Sequence, residues 1–126
     1  MAAKLAGSDL VMTWSDDDIH LPWRIREFVA VYEEGAYVTD ASHFFFSPPA
    51  PMKFVRRPCG GPFLMARQDF WDCGAIPALS LGEDISFRSR ALKQCRLRTV
   101  SEPSFIYRWQ WAAGNFHISG YRANGW

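Results

Sequence analysis

Two acidic clusters are the parts of this chain best suited to chemistry: Asp16-Asp17-Asp18 within TWSDDDIHLPWR, and Glu83-Asp84 at the head of EDISFRSRALKQ. Adjacent carboxylates repel one another unless a cation or hydrogen-bond donors compensate. Hard divalent ions such as Mg²⁺ or Mn²⁺ take carboxylate oxygens and still keep positions open for substrate phosphates. A metal held by the triplet can therefore bind the phosphates of an activated donor, while a carboxylate of the pair acts as general base on an incoming hydroxyl. The competing structural interpretation is that each cluster supplies caps and negative charge to the positive end of a following helix.

Other candidates carry less. His20 and His117 are possible metal ligands, although an isolated histidine is more often a surface or hydrogen-bonded residue. Gly60-Gly61 would let a backbone approach a phosphate or an acceptor, but without GxxxxGK or GxGxxG it is equally a turn. There is no HExxH for zinc and no GxSxG for a serine nucleophile. Cys59, Cys73 and Cys95 are odd in number and widely spaced, which fits neither a disulfide framework nor a CxxC clip, and they read as reduced thiols.

The elements that must position these groups are those of a single domain spanning residues 1–126. A net charge of +1 gives no electrostatic footprint for nucleic acid. No run reaches the ~20 apolar residues of a membrane span, and the N-terminus resembles no secretory leader, so the expected compartment is cytoplasmic. Helix-forming residues 1–7 lead into a short strand over 9–14, which ends at the aspartates. Pro22 opens a helix in which Ile25, Phe28, Val29 and Tyr32 form one stripe, stopped by Gly35. A strand over 36–39 and a hairpin of 43–46 with 52–55 follow, joined by a proline-rich loop. A short helix over 67–73 ends at Gly74. A longer helix over 83–95 carries Ile85, Ala91, Leu92 and Cys95 inward and leaves Arg88, Arg90 and Lys93 to solvent. Strands over 97–100 and 104–111 close the pattern, with Trp109 and Trp111 on one side of the last. The class is α/β or α+β, and the triplet falls at a strand end, where open α/β sheets place their ligands.

Three stretches, AAKLAGSDLVMTWSDDDIHLPWRI, CGGPFLMARQDFWDCG and LGEDISFRSRALKQ, together resemble the second half of family-2 glycosyltransferases with the nucleotide-diphospho-sugar transferase fold. The matching positions are the aspartate triplet with Pro22 and Arg24, then Gly61, Arg67, Phe70 and Gly74, then Glu83-Asp84 with Phe87 and Arg90. Ser15 stands where the D-x-D-D pattern of the family has its first aspartate. The resemblance implies a partial fold of that kind, a mixed sheet with flanking helices that lacks the first N-terminal strands. It also implies a nucleotide-sugar donor, a hydroxyl acceptor and Mn²⁺ or Mg²⁺ as cofactor. Asp17 with Asp16 or Asp18 would hold the metal, His117 would add a late ligand, and Asp84, paired with Glu83, would deprotonate the acceptor with inversion at the anomeric carbon. Gly60, Gly61 and Arg67 would form an acceptor or phosphate loop, and Trp71 would be an acceptor-side aromatic. A sheet without those first strands would expose an edge to be covered by self-association or by an N-terminal partner chain. The alternatives are a non-catalytic binding or assembly module on the same fold, and a hydrolase pairing Asp84 with a carboxylate of the triplet.

Overall fold

A computed structural model describes residues 7–15, 18–59, 61–76 and 83–108. Within them the chain forms two four-stranded mixed sheets. The first has the order β1-β6-β3-β7, built from β1 (Leu10–Met12), β3 (Ala36–Asp40), β6 (Leu64–Ala66) and β7 (Arg96–Val100). β6 runs antiparallel to both β1 and β3, and β3 runs parallel to β7, so β1, β3 and β7 all point the same way. The second sheet has the order β2-β8-β4-β5, from β2 (Ile19–His20), β4 (His43–Phe46), β5 (Lys53–Val55) and β8 (Phe105–Arg108). The β4–β5 pair is the expected hairpin, with Phe44 opposite Phe54. The expected initial helix and residues 109–111 of the last strand lie outside the described residues.

Strand alternation divides the first sheet into two buried faces. Ala36, Val38, Leu64 and Val100 face Phe28, with Leu10, Met12, Val31 and Tyr32 around them. Tyr37 and Met65 face the other way, against Phe63, Phe70, Cys73, Phe87 and Ala91. Helix α1 (Arg24–Val31) covers the first face; α2 (Arg67–Asp72) and α3 (Glu83–Gln94) supply the covering of the second. Gly35 and Gly74 end their segments with φ of 75° and 82°, left-handed geometry that glycine adopts without a Cβ penalty.

Both longer helices are rotated relative to their apolar periodicity. In α1 the buried residues are Arg24 and Phe28, while Ile25 and Val29 are about half exposed, at 57% and 48%. The cause lies opposite: Asp40, the last residue of β3, is fully buried on the face that α1 covers, and Arg24 reaches its Oδ2 at 3.2 Å. A buried carboxylate is so costly without a cation that it outweighs the burial of one aliphatic side chain. In α3, Phe87 and Ala91 are buried and Ile85 is 67% exposed. Phe87 lies 5.0 Å from the Phe63 ring and 5.1 Å from Phe70, so a larger apolar body in an aromatic cluster sets the helix phase. Arg88 is thereby turned inward, and its Nε is buried instead of facing solvent.

The sheets meet where β3 passes into β4 and β7 into β8. At that junction Ser104 donates to Asp40 Oδ1 at 2.9 Å, and Leu21 N–H donates to the Ser104 carbonyl at 2.9 Å. The Arg24 guanidinium also stacks over Phe28, 4.6 Å from its ring centroid. Arg24→Met is expected to destabilise the chain by about 3–5 kcal/mol in urea unfolding, because it strands the Asp40 charge, and Arg24→Met combined with Asp40→Leu is expected to recover most of that loss.

Candidate functional site

The site grows from the carboxyl end of β1. Thr13 N–H donates to the Phe63 carbonyl at 3.1 Å, its hydroxyl donates to the Gly61 carbonyl at 2.8 Å, and Phe63 N–H donates back to Thr13 Oγ1 at 2.9 Å. Residues 13 and 61–63 are thus one hydrogen-bonded unit. On β3, the Thr39 hydroxyl adds a bond to the Pro62 carbonyl at 2.9 Å. The carboxyl ends of two parallel strands therefore converge on the Gly61 turn, the kind of position at which open α/β sheets bind ligands.

Asp18 shapes the acidic loop from its far side. Its Oδ2 accepts from the Ser15 hydroxyl at 2.8 Å and its Oδ1 from Arg108 N–H at 2.8 Å, so both oxygens are engaged in holding the backbone. His20 Nε2 donates to the Ser15 carbonyl at 2.9 Å, and its ring stacks on Trp14 with centroids 4.0 Å apart. Burial pulls the His20 pKa below the ordinary imidazole value, with the Ser15 bond opposing and the Arg24 charge assisting. Neutral His20 leaves Nδ1 buried without a partner among the described residues. Ser15, Asp18 and His20 close the loop whose other two residues, Asp16 and Asp17, lie outside the described residues, as do Gly60 and His117.

Asp84 approaches the Gly61 turn from α3. A Cβ built on Gly61 would lie 3.9 Å from Asp84 Oδ2, ordinary van der Waals distance, so the turn and the carboxylate are neighbours. The other oxygen accepts from Ile85 N–H at 2.8 Å, and Glu83 beside it is half-buried. Helical spacing places Asp84, Phe87, Arg88 and Ala91 on one face, directed at the sheet. Beneath them the Tyr37 hydroxyl is fully buried with no hydrogen-bond partner among the described residues, and Arg88 Nε is in the same condition. Burial drives the Tyr37 phenol far above its usual value, with the Arg88 charge opposing and the Asp84 charge reinforcing, so the hydroxyl stays a proton donor. A carboxylate on α3, a guanidinium one turn further along it and a phenol on β3 are thus gathered near one another between helix and sheet.

Gly61 and Asp84 are thus brought together. Arg67 is not with them, since its N–H pairs with the Asp9 carbonyl at the opposite end of β6, roughly 13 Å along the strand from Phe63. Trp71 packs beside the aromatic core and meets Phe70 edge-on at 5.2 Å. Arg90 secures α2 by donating to the Cys73 and Ala75 carbonyls at 2.8 and 2.6 Å. Tyr37 and Arg88 had no motif to announce them, although the Asp84–Arg88 spacing of one helical turn was a usable signal. Among the described residues no group of three His, Cys, Asp or Glu side chains is placed to hold a metal ion.

Compared with known proteins, the chain matches no family model, no curated protein and no solved structure. Nor is any helix among the described residues long and apolar enough to cross a membrane.

Removing a hydroxyl that has no partner costs little in folding. Tyr37→Phe is therefore expected to change unfolding free energy by less than about 1 kcal/mol in urea titration. A larger loss would mean that the hydroxyl is structurally engaged.

Proposed function

We propose that this chain is a glycosyltransferase-like protein that transfers a sugar from a nucleotide-sugar donor to an acceptor hydroxyl with inversion. The observation that carries this reading is that the Gly61 turn, bonded to Thr13 at the end of the strand leading to the acidic loop, lies beside Asp84, the proposed base. Asp84 Oδ2 would take the acceptor's proton as the acceptor oxygen bonds to the anomeric carbon and the bond to the diphosphate breaks. Arg88 and the Tyr37 hydroxyl, buried beneath Asp84, would set the electrostatic surroundings of that base. Hard carboxylate donors suit Mg²⁺ or Mn²⁺, and because both Asp18 oxygens already hold the loop, Asp16 and Asp17 are the residues that would bind it. When bound, the ion supplies positive charge against the leaving diphosphate.

One observation favours a second reading, a non-catalytic binding or assembly module. Asp18 is spent on Ser15 and Arg108, and Asp84 Oδ1 on the adjacent backbone N–H, as structural caps would be.

Calorimetry with Mn²⁺ and a panel of nucleotide sugars separates the two. The transferase reading predicts metal-dependent donor binding that Asp17→Asn weakens at least about tenfold and Asp84→Asn leaves intact while abolishing transfer. Absence of heat with every donor would support the module. β1 has no strand partner on its outer side among the described residues, and the proposal includes a second copy or an N-terminal partner chain covering that edge. Light scattering is expected to give a dimer or larger species, and a clean monomer would count against self-association.

A further inference from the structure

The carboxyl-terminal ends of α2 and α3 place two thiols against each other. Cys73 caps α2, is 2% exposed and belongs to the aromatic core; Cys95 follows α3 directly and packs on the same cluster. Each thiol lies close enough to influence the proton affinity of the other, and neither is in a disulfide. The surrounding backbone is fixed independently. Cys73 N–H donates to the Asp69 carbonyl at 2.9 Å, Cys95 N–H to the Ala91 carbonyl at 2.8 Å, and Arg90 of α3 grips the Cys73 carbonyl at 2.8 Å. Two thiols brought to one cluster by converging helix ends are already gathered for bond formation, whereas Cys59 sits half-buried in a separate loop.

We propose that Cys73 and Cys95 are a site of oxidative modification, closing to an intramolecular disulfide when the chain meets a low-molecular-weight disulfide such as oxidised glutathione. Cys95, the more accessible sulfur, attacks as thiolate and forms a mixed disulfide, releasing one glutathione thiolate. The Cys73 sulfur then attacks the Cys95 sulfur and releases the second. Two protein thiols lose two electrons and two protons, and both protons end on the two glutathione thiols. The product staples the segment 74–94, which carries Asp84 and Arg88, to the core at both ends. Burial raises both thiols above their ordinary range, Cys95 to about 11, so the reduced pair is slow to react at neutral pH and persists until an oxidant accumulates. The inference does not depend on the transferase reading.

The test is to treat the folded chain with oxidised glutathione in mildly alkaline buffer, trap free thiols, and map peptides by mass spectrometry. The expected result is a peptide pair linked through Cys73 and Cys95, two hydrogens lighter than the reduced pair and restored by dithiothreitol. Cys59→Ser should keep the link and Cys95→Ser should lose it. Phenylarsine oxide, which bridges neighbouring thiols, should bind once per folded chain and fail to bind Cys95→Ser. The oxidised chain should melt at a higher temperature than the reduced one, since the crosslink restricts its unfolded ensemble. A link through Cys59, separate glutathione adducts on Cys73 and Cys95 with no linked peptide, or a lowered melting temperature would each overturn the proposal.

Discussion

Everything in the fold is referred to one buried ion pair. Arg24 and Asp40 are both fully excluded from solvent, and Ser104 completes the coordination of the carboxylate. Each of the three comes from a different part of the chain: the first turn of α1, the end of β3, and the approach to β8. A buried pair of this kind adds little net stability compared with apolar packing, but it is intolerant of misplacement, because moving any member leaves a charge without a partner. It therefore specifies the phase of α1 and the geometry at which one sheet hands over to the next. Burial of the carboxylate pushes the Asp40 pKa up, and Arg24 and Ser104 oppose that rise.

From that anchor the candidate site follows by strand geometry. With β1 and β3 parallel and β6 reversed between them, the loops at the carboxyl ends of β1 and β3 and the turn before β6 must share one end of the sheet. Thr13 and Thr39 exploit this by bonding to carbonyls of Gly61 and Pro62. The second sheet contributes through β8, whose Arg108 N–H holds Asp18 and hence the acidic loop. The orphaned donors of Tyr37 and Arg88 then lie under Asp84 because the aromatic cluster around Phe87 turns α3 that way.

Much of this was legible from sequence, and the exceptions have physical causes. The helices over 24–31, 67–72 and 83–94 and the hairpin at 43–55 announce themselves by periodicity and by Pro22, Gly35 and Gly74. The inward faces of α1 and α3 do not. Periodicity locates an apolar stripe, but Asp40 claims Arg24 across 16 positions and Phe63 claims Phe87 across 24, and no local pattern encodes such pairings. The split into two sheets is likewise hidden, since it depends on β4 and β8 lying side by side after leaving β3 and β7. The placement of Tyr37 and Arg88 belongs to the same class: a tyrosine in AYVT and an arginine on a charged helix look ordinary until their buried polar atoms prove to lack partners among the described residues.

The parallel pairing of β3 with β7 carries a consequence for biosynthesis. Ala36 is registered with Arg96 and Asp40 with Val100, and Asp40 receives its hydroxyl partner only from Ser104. A nascent chain can pair β3 with β6 and Asp40 with Arg24 once residue 66 has been made, but the β7 side of β3 stays an open edge until residues 96–104 follow. Until then that edge and the free Oδ1 of Asp40 await Val100 and Ser104, and the growing polypeptide is most vulnerable to chaperone capture or misassociation.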